Sequence, residues 1–133
     1  MENLESLEKA INSELTTKIL SSKIKHDQIN ICIEDNNLME VMIFLKTHSS
    51  TKFKQLIDIT AVDYPERDKR FKMVYLLLSH EKNSRIKIEF DIKEGEILSS
   101  LTSIFPSANW MEREVFDMYG VNFKDHPDLR RIL

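Results

Sequence analysis

Between residues 3 and 20 the apolar residues Leu4, Leu7, Ile11, Leu15 and Ile19 recur at spacings of three and four, which predicts an amphipathic helix. Glu2, Glu5 and Glu8 stand early and Lys18 and Lys23 late, the order a helix dipole favours. The period then changes to two: Ile29, Ile31 and Ile33 alternate with Asn30, Cys32 and Glu34, a strand with one face toward a core. Asp35, Asn36 and Asn37 end it. In LMEVMIFLKTHSS the central apolar run suits a buried strand, while Leu38, Val41, Met42 and Leu45 form a helical stripe behind an Asn cap; the helical reading over 38–47 is favoured. Leu56 to Val62, Phe71 to Leu78 and Arg85 to Ile92 follow as strands rich in β-branched and aromatic residues. The turn clusters DYPERDK and SHEKNS separate them, and antiparallel pairing of neighbours is the simplest topology. Leu98 to Pro106 reads as a short helix or turn.

Near the C-terminus stands NWMEREVFDMYG, residues 109–120. Asn109 with Glu112 three residues on resembles a capping box, and Gly120 falls where a left-handed C-terminal residue is wanted, which predicts a helix over Trp110 to Tyr119. Met111, Val115 and Met118 share one side of it and Trp110, Glu114 and Asp117 another. Arg113 can reach Asn109 and Asp117 at four-residue spacing, so the charged side is expected to be presented rather than buried. Val121 to Phe123 reads as extended, Lys124 to Pro127 as a turn, and Asp128 as the cap of a helix begun by Leu129 to Leu133. Five residues make no stable helix alone, so the end needs either more chain or a partner surface, and Asp125 to Leu133 is expected to be mobile or held only by neighbouring molecules when the chain is alone. The order helix, strand, helix, three strands, helix argues one α+β two-layer domain over residues 1–133, with a mixed or antiparallel four-stranded sheet.

Composition narrows the function. With 41% apolar and 31% charged residues in a chain of 133, a single domain with a real core is expected. The formal net charge of -3 gives no global bias toward nucleic acid or anionic lipid. The longest apolar runs, such as Val41 to Leu45, fall far short of the roughly 20 residues of a membrane helix, and MENLESLEK has no signal-peptide stretch. Cys32 is the only cysteine. It excludes internal disulfides, reads as a small buried residue, and cannot alone hold an iron–sulfur cluster. Gly95 and Gly120 are the only glycines, too few for a dinucleotide fingerprint or a phosphate-cradling loop.

Three readings compete for Glu112, Arg113, Glu114 and Asp117: a solvated helix face, a docking surface whose charges fix register, or a carboxylate or metal site joining Glu114, Asp117 and His126. The last would make the chain a stand-alone metal-dependent hydrolase. His126 beside Pro127 is a turn residue or an interface group. Trp110 suits a half-buried anchor, and Arg130 and Arg131 suit carboxylate recognition across an interface. His26, His48 and His80 lie at element edges and carry no assignment.

EREVFDMY at 112–119, HPDLRRIL at 126–133 and the upstream LIDITAVDYPERDKRFKMVYLLLS together resemble the 30 kDa subunit of proton-pumping NADH:quinone oxidoreductase, respiratory complex I. The resemblance covers roughly residues 38–133. It implies a non-catalytic peripheral member of the hydrophilic arm, docked on the quinone-site large (49 kDa-like) subunit and near iron–sulfur subunits. NADH, FMN, the iron–sulfur clusters and quinone would belong to other subunits, and no nucleic acid is implied. The chain would lie at the cytoplasmic face of a bacterial inner membrane, or on the matrix side in an organelle, meeting the membrane only through the complex. Glu112, Arg113, Glu114, Asp117, Gly120, His126, Pro127, Asp128, Arg130 and Arg131 match the family signature and are implied to serve docking. Related energy-converting hydrogenases carry similar subunits and form the alternative. Family members typically continue past HPDLRRIL into a tail that wraps the partner, whereas this sequence stops at Leu133.

Overall fold

The computed structural model describes residues 4–127. In chain order it contains α1 (Leu4–Glu14), β1 (Ile19–Lys25), β2 (Gln28–Ile33), α2 (Leu38–Thr47), β3 (Gln55–Asp63), β4 (Phe71–Ser79), β5 (Ser84–Ile92), β6 (Ile97–Ser99), α3 (Ala108–Tyr119) and β7 (Asn122–Lys124). The α+β class and a mixed sheet are as expected, but the sheet has five strands rather than four, in the order β1-β2-β5-β4-β3. Its pairs are antiparallel except β2 with β5, which run parallel. That parallel pair requires the crossover through α2, whose stripe of Leu38, Val41, Met42 and Leu45 is buried against the sheet, settling the helical reading of this segment. Asn37 makes no side-chain cap bond there; a 3-10 turn over Asp35–Asn37 leads into the helix instead.

The predicted first helix ends early. Thr16 turns its hydroxyl back to the carbonyls of Asn12 (2.8 Å) and Ser13 (3.2 Å), occupying acceptors left open at the helix end. Ile19 therefore opens β1, a strand the helical periodicity concealed. A two-residue turn at His26 and Asp27, both at positive φ (55° and 58°), closes the β1–β2 hairpin, the twist that two-residue hairpins require.

All three helices pack on one face of the sheet. Leu7 and Ile11 of α1, the α2 stripe, and Ala108 and Val115 of α3 join the inward residues Ile29, Ile31, Ile33, Met73, Tyr75, Leu77, Ile86, Ile88 and Phe90 in one core. On the opposite face Cys32 is half-buried, not interior as expected, with Sγ 3.9 Å from Glu89 Oε2. The alternation that turns Ile31 and Ile33 inward necessarily turns Cys32 outward. The segment read as a short helix or turn holds β6, followed by a turn. β6 pairs in parallel with β7 as a second, two-stranded sheet beside α3.

Candidate functional site

The signature helix runs from Ala108, two residues earlier than expected, to Tyr119. It ends on Gly120 at φ 74°, the left-handed residue that the sequence indicated. Ser107 at its start and Asn109 make no side-chain cap bond; the Ser107 hydroxyl donates instead to the Leu56 carbonyl of β3 (2.9 Å). At the far end Tyr119 meets Phe71 edge to face, ring centres 6.0 Å apart. The helix is thus fixed at both ends beside the β3–β4 hairpin.

Glu112 corrects the expectation most sharply. It is not a capping or surface group: it is 0% exposed. One carboxylate oxygen accepts from the Ser100 hydroxyl (2.7 Å) and the other from the Leu101 backbone N–H (2.8 Å). His126, expected in a mobile or partner-held turn, is fastened within the chain, its side chain wholly enclosed. Its Nε2 donates to the Asn109 carbonyl (2.9 Å), which can only accept, and stands 3.9 Å from Glu112 Oε1. Lys46 of α2 donates to the Ile104 carbonyl and lies over the Phe105 ring. These bonds tie together the β6–α3 loop, α3 and the turn after β7. Burial pushes the Glu112 carboxyl above its ordinary range, and the Leu101 N–H, the Ser100 hydroxyl and His126 partly oppose that. Burial, aided by the Glu112 charge, also holds the Tyr75 phenol well above its usual range.

The other charged residues of α3 face outward. Trp110 is 51% and Met118 71% exposed, Glu114 is exposed, and Arg113 and Asp117 are half-buried. Positions 110, 113, 114, 117 and 118 form one helical stripe. The anticipated Arg113–Asp117 ion pair is not formed; the Arg113 guanidinium lies over the Trp110 ring, 5.4 Å from its centre, and its buried Nε has no hydrogen-bond partner. Met118, grouped in sequence with Met111 and Val115, belongs to the exposed stripe instead. Glu114, Asp117 and His126 do not converge, and no group of three potential metal-ligating side chains occurs among the described residues. Pro127 is exposed in a turn, while Asp128, Arg130 and Arg131, with the helix expected over Leu129 to Leu133, lie outside the described residues. Sequence reasoning missed Ser100, Leu101 and Lys46. Only the burial of Glu112 reveals the first two, eleven and twelve residues away, and the Lys46 bond to Ile104 spans 58 residues, so neither leaves a periodic signal.

Upstream, the turn DYPERDK, residues 63–69, is a pinned loop. Arg70 grips Asp63 through two bonds (2.7 and 2.9 Å) and reaches Glu94 (3.1 Å), while Arg67 lies over Tyr64 and pairs with Asp91 (3.1 Å). The Arg70 bonds hold the Asp63 carboxyl below its usual range.

This architecture recurs in solved structures. It superimposes on the trypsin-resistant fragment (1–134) of Nqo5 with a TM-score of 0.78 at 27% identity, covering 95% of this chain and 98% of that one. An archaeal respiratory membrane complex, the membrane-bound sulfane sulfur reductase, contains a chain matching at TM-score 0.81 over 92% of this chain and 71% of its own; at 21% identity that likeness speaks of fold alone. Residues 31–133 match the family described as "Respiratory-chain NADH dehydrogenase, 30 Kd subunit", and the chain belongs to that family. Among curated proteins, the NADH-quinone oxidoreductase C subunit of Dinoroseobacter shibae is 51% identical over 115 residues, spanning 86% of this chain and 54% of that protein. Its namesake in Ruegeria sp. strain TM1040 is 45% identical over all 133 residues, 66% of its own length. The chain thus spans about half to two thirds of the curated relatives it matches.

Proposed function

We propose that this chain is a non-catalytic peripheral subunit of a proton-pumping NADH:quinone oxidoreductase, and that α3 is its docking element. The relatives carry the NADH-quinone oxidoreductase name, which favours that complex over an energy-converting hydrogenase. One observation carries the docking assignment: α3 spends Glu112 on internal fastening yet leaves Trp110 and Met118 exposed on one stripe with Arg113, Glu114 and Asp117. Large apolar and Arg side chains at the centre of a patch are the usual anchors of protein interfaces. Arg113 is already ordered over Trp110, so little side-chain freedom is lost when it meets a carboxylate. The partner is the large subunit bordering the quinone site, with iron–sulfur subunits alongside; Pro127, Asp128, Arg130 and Arg131 continue the contact. Electrons pass through cofactors of those subunits. The chain sits on the cytoplasmic face of a bacterial inner membrane, attached through the complex; among the described residues no helix is long and apolar enough to cross a membrane.

The test combines Trp110→Ala with Arg113→Ala and, separately, Arg130→Ala with Arg131→Ala, in the full chain expressed in its native membranes. Each pair should leave the purified chain folded while lowering the assembled fraction on native gels and NADH:quinone turnover. Losing a Trp or Arg anchor costs about 2 kcal/mol or more, roughly 30-fold in affinity. Normal assembly with full turnover in both variants would remove the docking assignment.

A further inference from the structure

We infer that the open face of the five-stranded sheet, opposite the helices, receives an acidic amphipathic helix from another subunit of the same complex. The inference rests on the subunit reading above but concerns a different surface. Strand register lays this face out in rows. Lys23, Asn30, Lys87 and Leu76 cross β1, β2, β5 and β4 in one row, and Ser21, Cys32, Glu89 and Val74 in the next. On the β4 side Val74, Leu76 and Leu78 form a half-buried apolar stripe. Toward β1 and β5 lie Lys23, Lys25, Arg85 and Lys87, none with an acidic partner within 4 Å among the described residues.

Four uncompensated cations on one face stand out in a chain whose formal net charge is -3. The acids nearby are otherwise placed: Glu89 approaches Lys72 (3.9 Å), Asp91 pairs with Arg67 (3.1 Å), and Asp58 lies on β3, beyond the apolar stripe. Lysines on an exposed edge strand often serve only to deter edge-to-edge pairing. That account covers Lys23 and Lys25 on β1 but not Arg85 and Lys87, which stand on the interior strand β5.

Dimensions fit a helix. Strands lie about 4.8 Å apart, so the apolar row of β4 and the lysines of β1 are separated by roughly 14 Å, close to the 10–12 Å diameter of a helix with its side chains. A helix seated on Val74, Leu76 and Leu78 would hold carboxylates on its flank above Lys87 and Lys23. A groove of about 360 Å³ already runs beside Cys32, between Lys23 and Lys87. A bilayer suits this face less well, because the apolar stripe is narrow and only half-exposed. A second copy would set like charges against each other.

Cys32 supplies the probe, being the only thiol of the chain and half-buried on this face, in the lining of that groove. Alkylation by a maleimide is measured on the purified chain and on the intact complex in native membranes, followed by mass spectrometry of this chain. Protection of at least ~10-fold in the complex is expected, since thiol reactivity follows access. Lys23→Glu with Lys87→Glu should largely abolish that protection ratio while leaving the free chain folded. A photo-reactive residue at position 76 should crosslink to an acidic helix of another subunit. Equal labelling rates in free chain and assembled complex, or crosslinks to lipid or to a second copy, would overturn this inference and leave the subunit reading standing. Absence of the chain from the complex would overturn both.

Discussion

Glu112→Ala separates an internal fastener from a surface charge. In the wild type both carboxylate oxygens accept hydrogen bonds in a fully enclosed site, one from the Ser100 hydroxyl and one from the Leu101 N–H. Alanine removes both acceptors and leaves the buried Leu101 donor unmatched, a penalty of about 1–3 kcal/mol. The void left by the missing side chain adds to it, so the total is roughly 2–5 kcal/mol. For a domain of this length that is on the order of 10 °C in Tm or more. Thermal unfolding followed by circular dichroism measures it. A solvated glutamate would shift stability by no more than about 0.5 kcal/mol, so a Tm within ~2 °C of wild type would refute the fastener assignment.

Glu112→Gln is the companion. Glutamine keeps one acceptor for the Leu101 N–H and can donate to Ser100, whose hydroxyl then turns toward Thr102 Oγ1, 2.9 Å away. Most of the alanine deficit should therefore be recovered. The pH dependence has a definite sign. Burial raises the folded Glu112 carboxyl above its ordinary 4.5, so the folded state binds that proton more tightly than the unfolded chain. Its favourable contribution is complete below the ordinary value and is lost as pH rises through the raised one. The Tm of Glu112→Gln relative to wild type should accordingly climb with pH above 4.5 and then level off. A difference that stays flat or falls with pH would show that Glu112 is not held against ionisation.

Gly120→Ala should cost about 1–2 kcal/mol, because φ 74° is strained for any L side chain although nothing lies within 4 Å of the added Cβ; denaturant unfolding would register it, and an unchanged midpoint would count against the left-handed cap. Thr51→Val should cost about 1 kcal/mol through loss of the bond from its buried hydroxyl to the Leu45 carbonyl, 2.9 Å. Asp63→Asn should lower Tm near neutral pH and converge with wild type in acid, since the stability from a depressed carboxyl is present above its ordinary value and lost as pH falls through the folded one; parallel pH profiles would contradict the Arg70 clamp. Purified under anaerobic, iron-replete conditions, the chain should be colourless, and a stoichiometric flavin or iron–sulfur spectrum would contradict the assignment of redox cofactors to other subunits.

What the sequence made legible follows from how local each cause is. The strands from β3 to β5 were readable because alternation and intervening turns lie within a few residues of each other. The strand β1 was not, because Leu15 and Ile19 continue the helical spacing and only the back-bonding of Thr16 breaks it. The parallel β2–β5 and β6–β7 pairs were equally silent, since partners more than 20 residues apart leave no periodic mark. Gly120 was legible because its left-handed role is fixed by its own backbone.

The signature helix shows why a charged motif is harder to read than an apolar one. Helical spacing assigns residues to sides, but it does not say which side a carboxylate may enter. Glu112 lies one position from Arg113, yet only Glu112 finds two donors at the end of β6, and those donors alone make burial tolerable. Arg113 has no acceptor for its Nε and stays at the surface over Trp110. Sequence therefore grouped Glu112 and His126 with Arg113, Glu114 and Asp117 as one docking set, whereas the fold divides them. The first two hold α3 in place, and only the remainder faces outward. Loss of assembly in a Glu112 or His126 variant would consequently report a displaced helix, and the decisive interface variants are those of the exposed stripe.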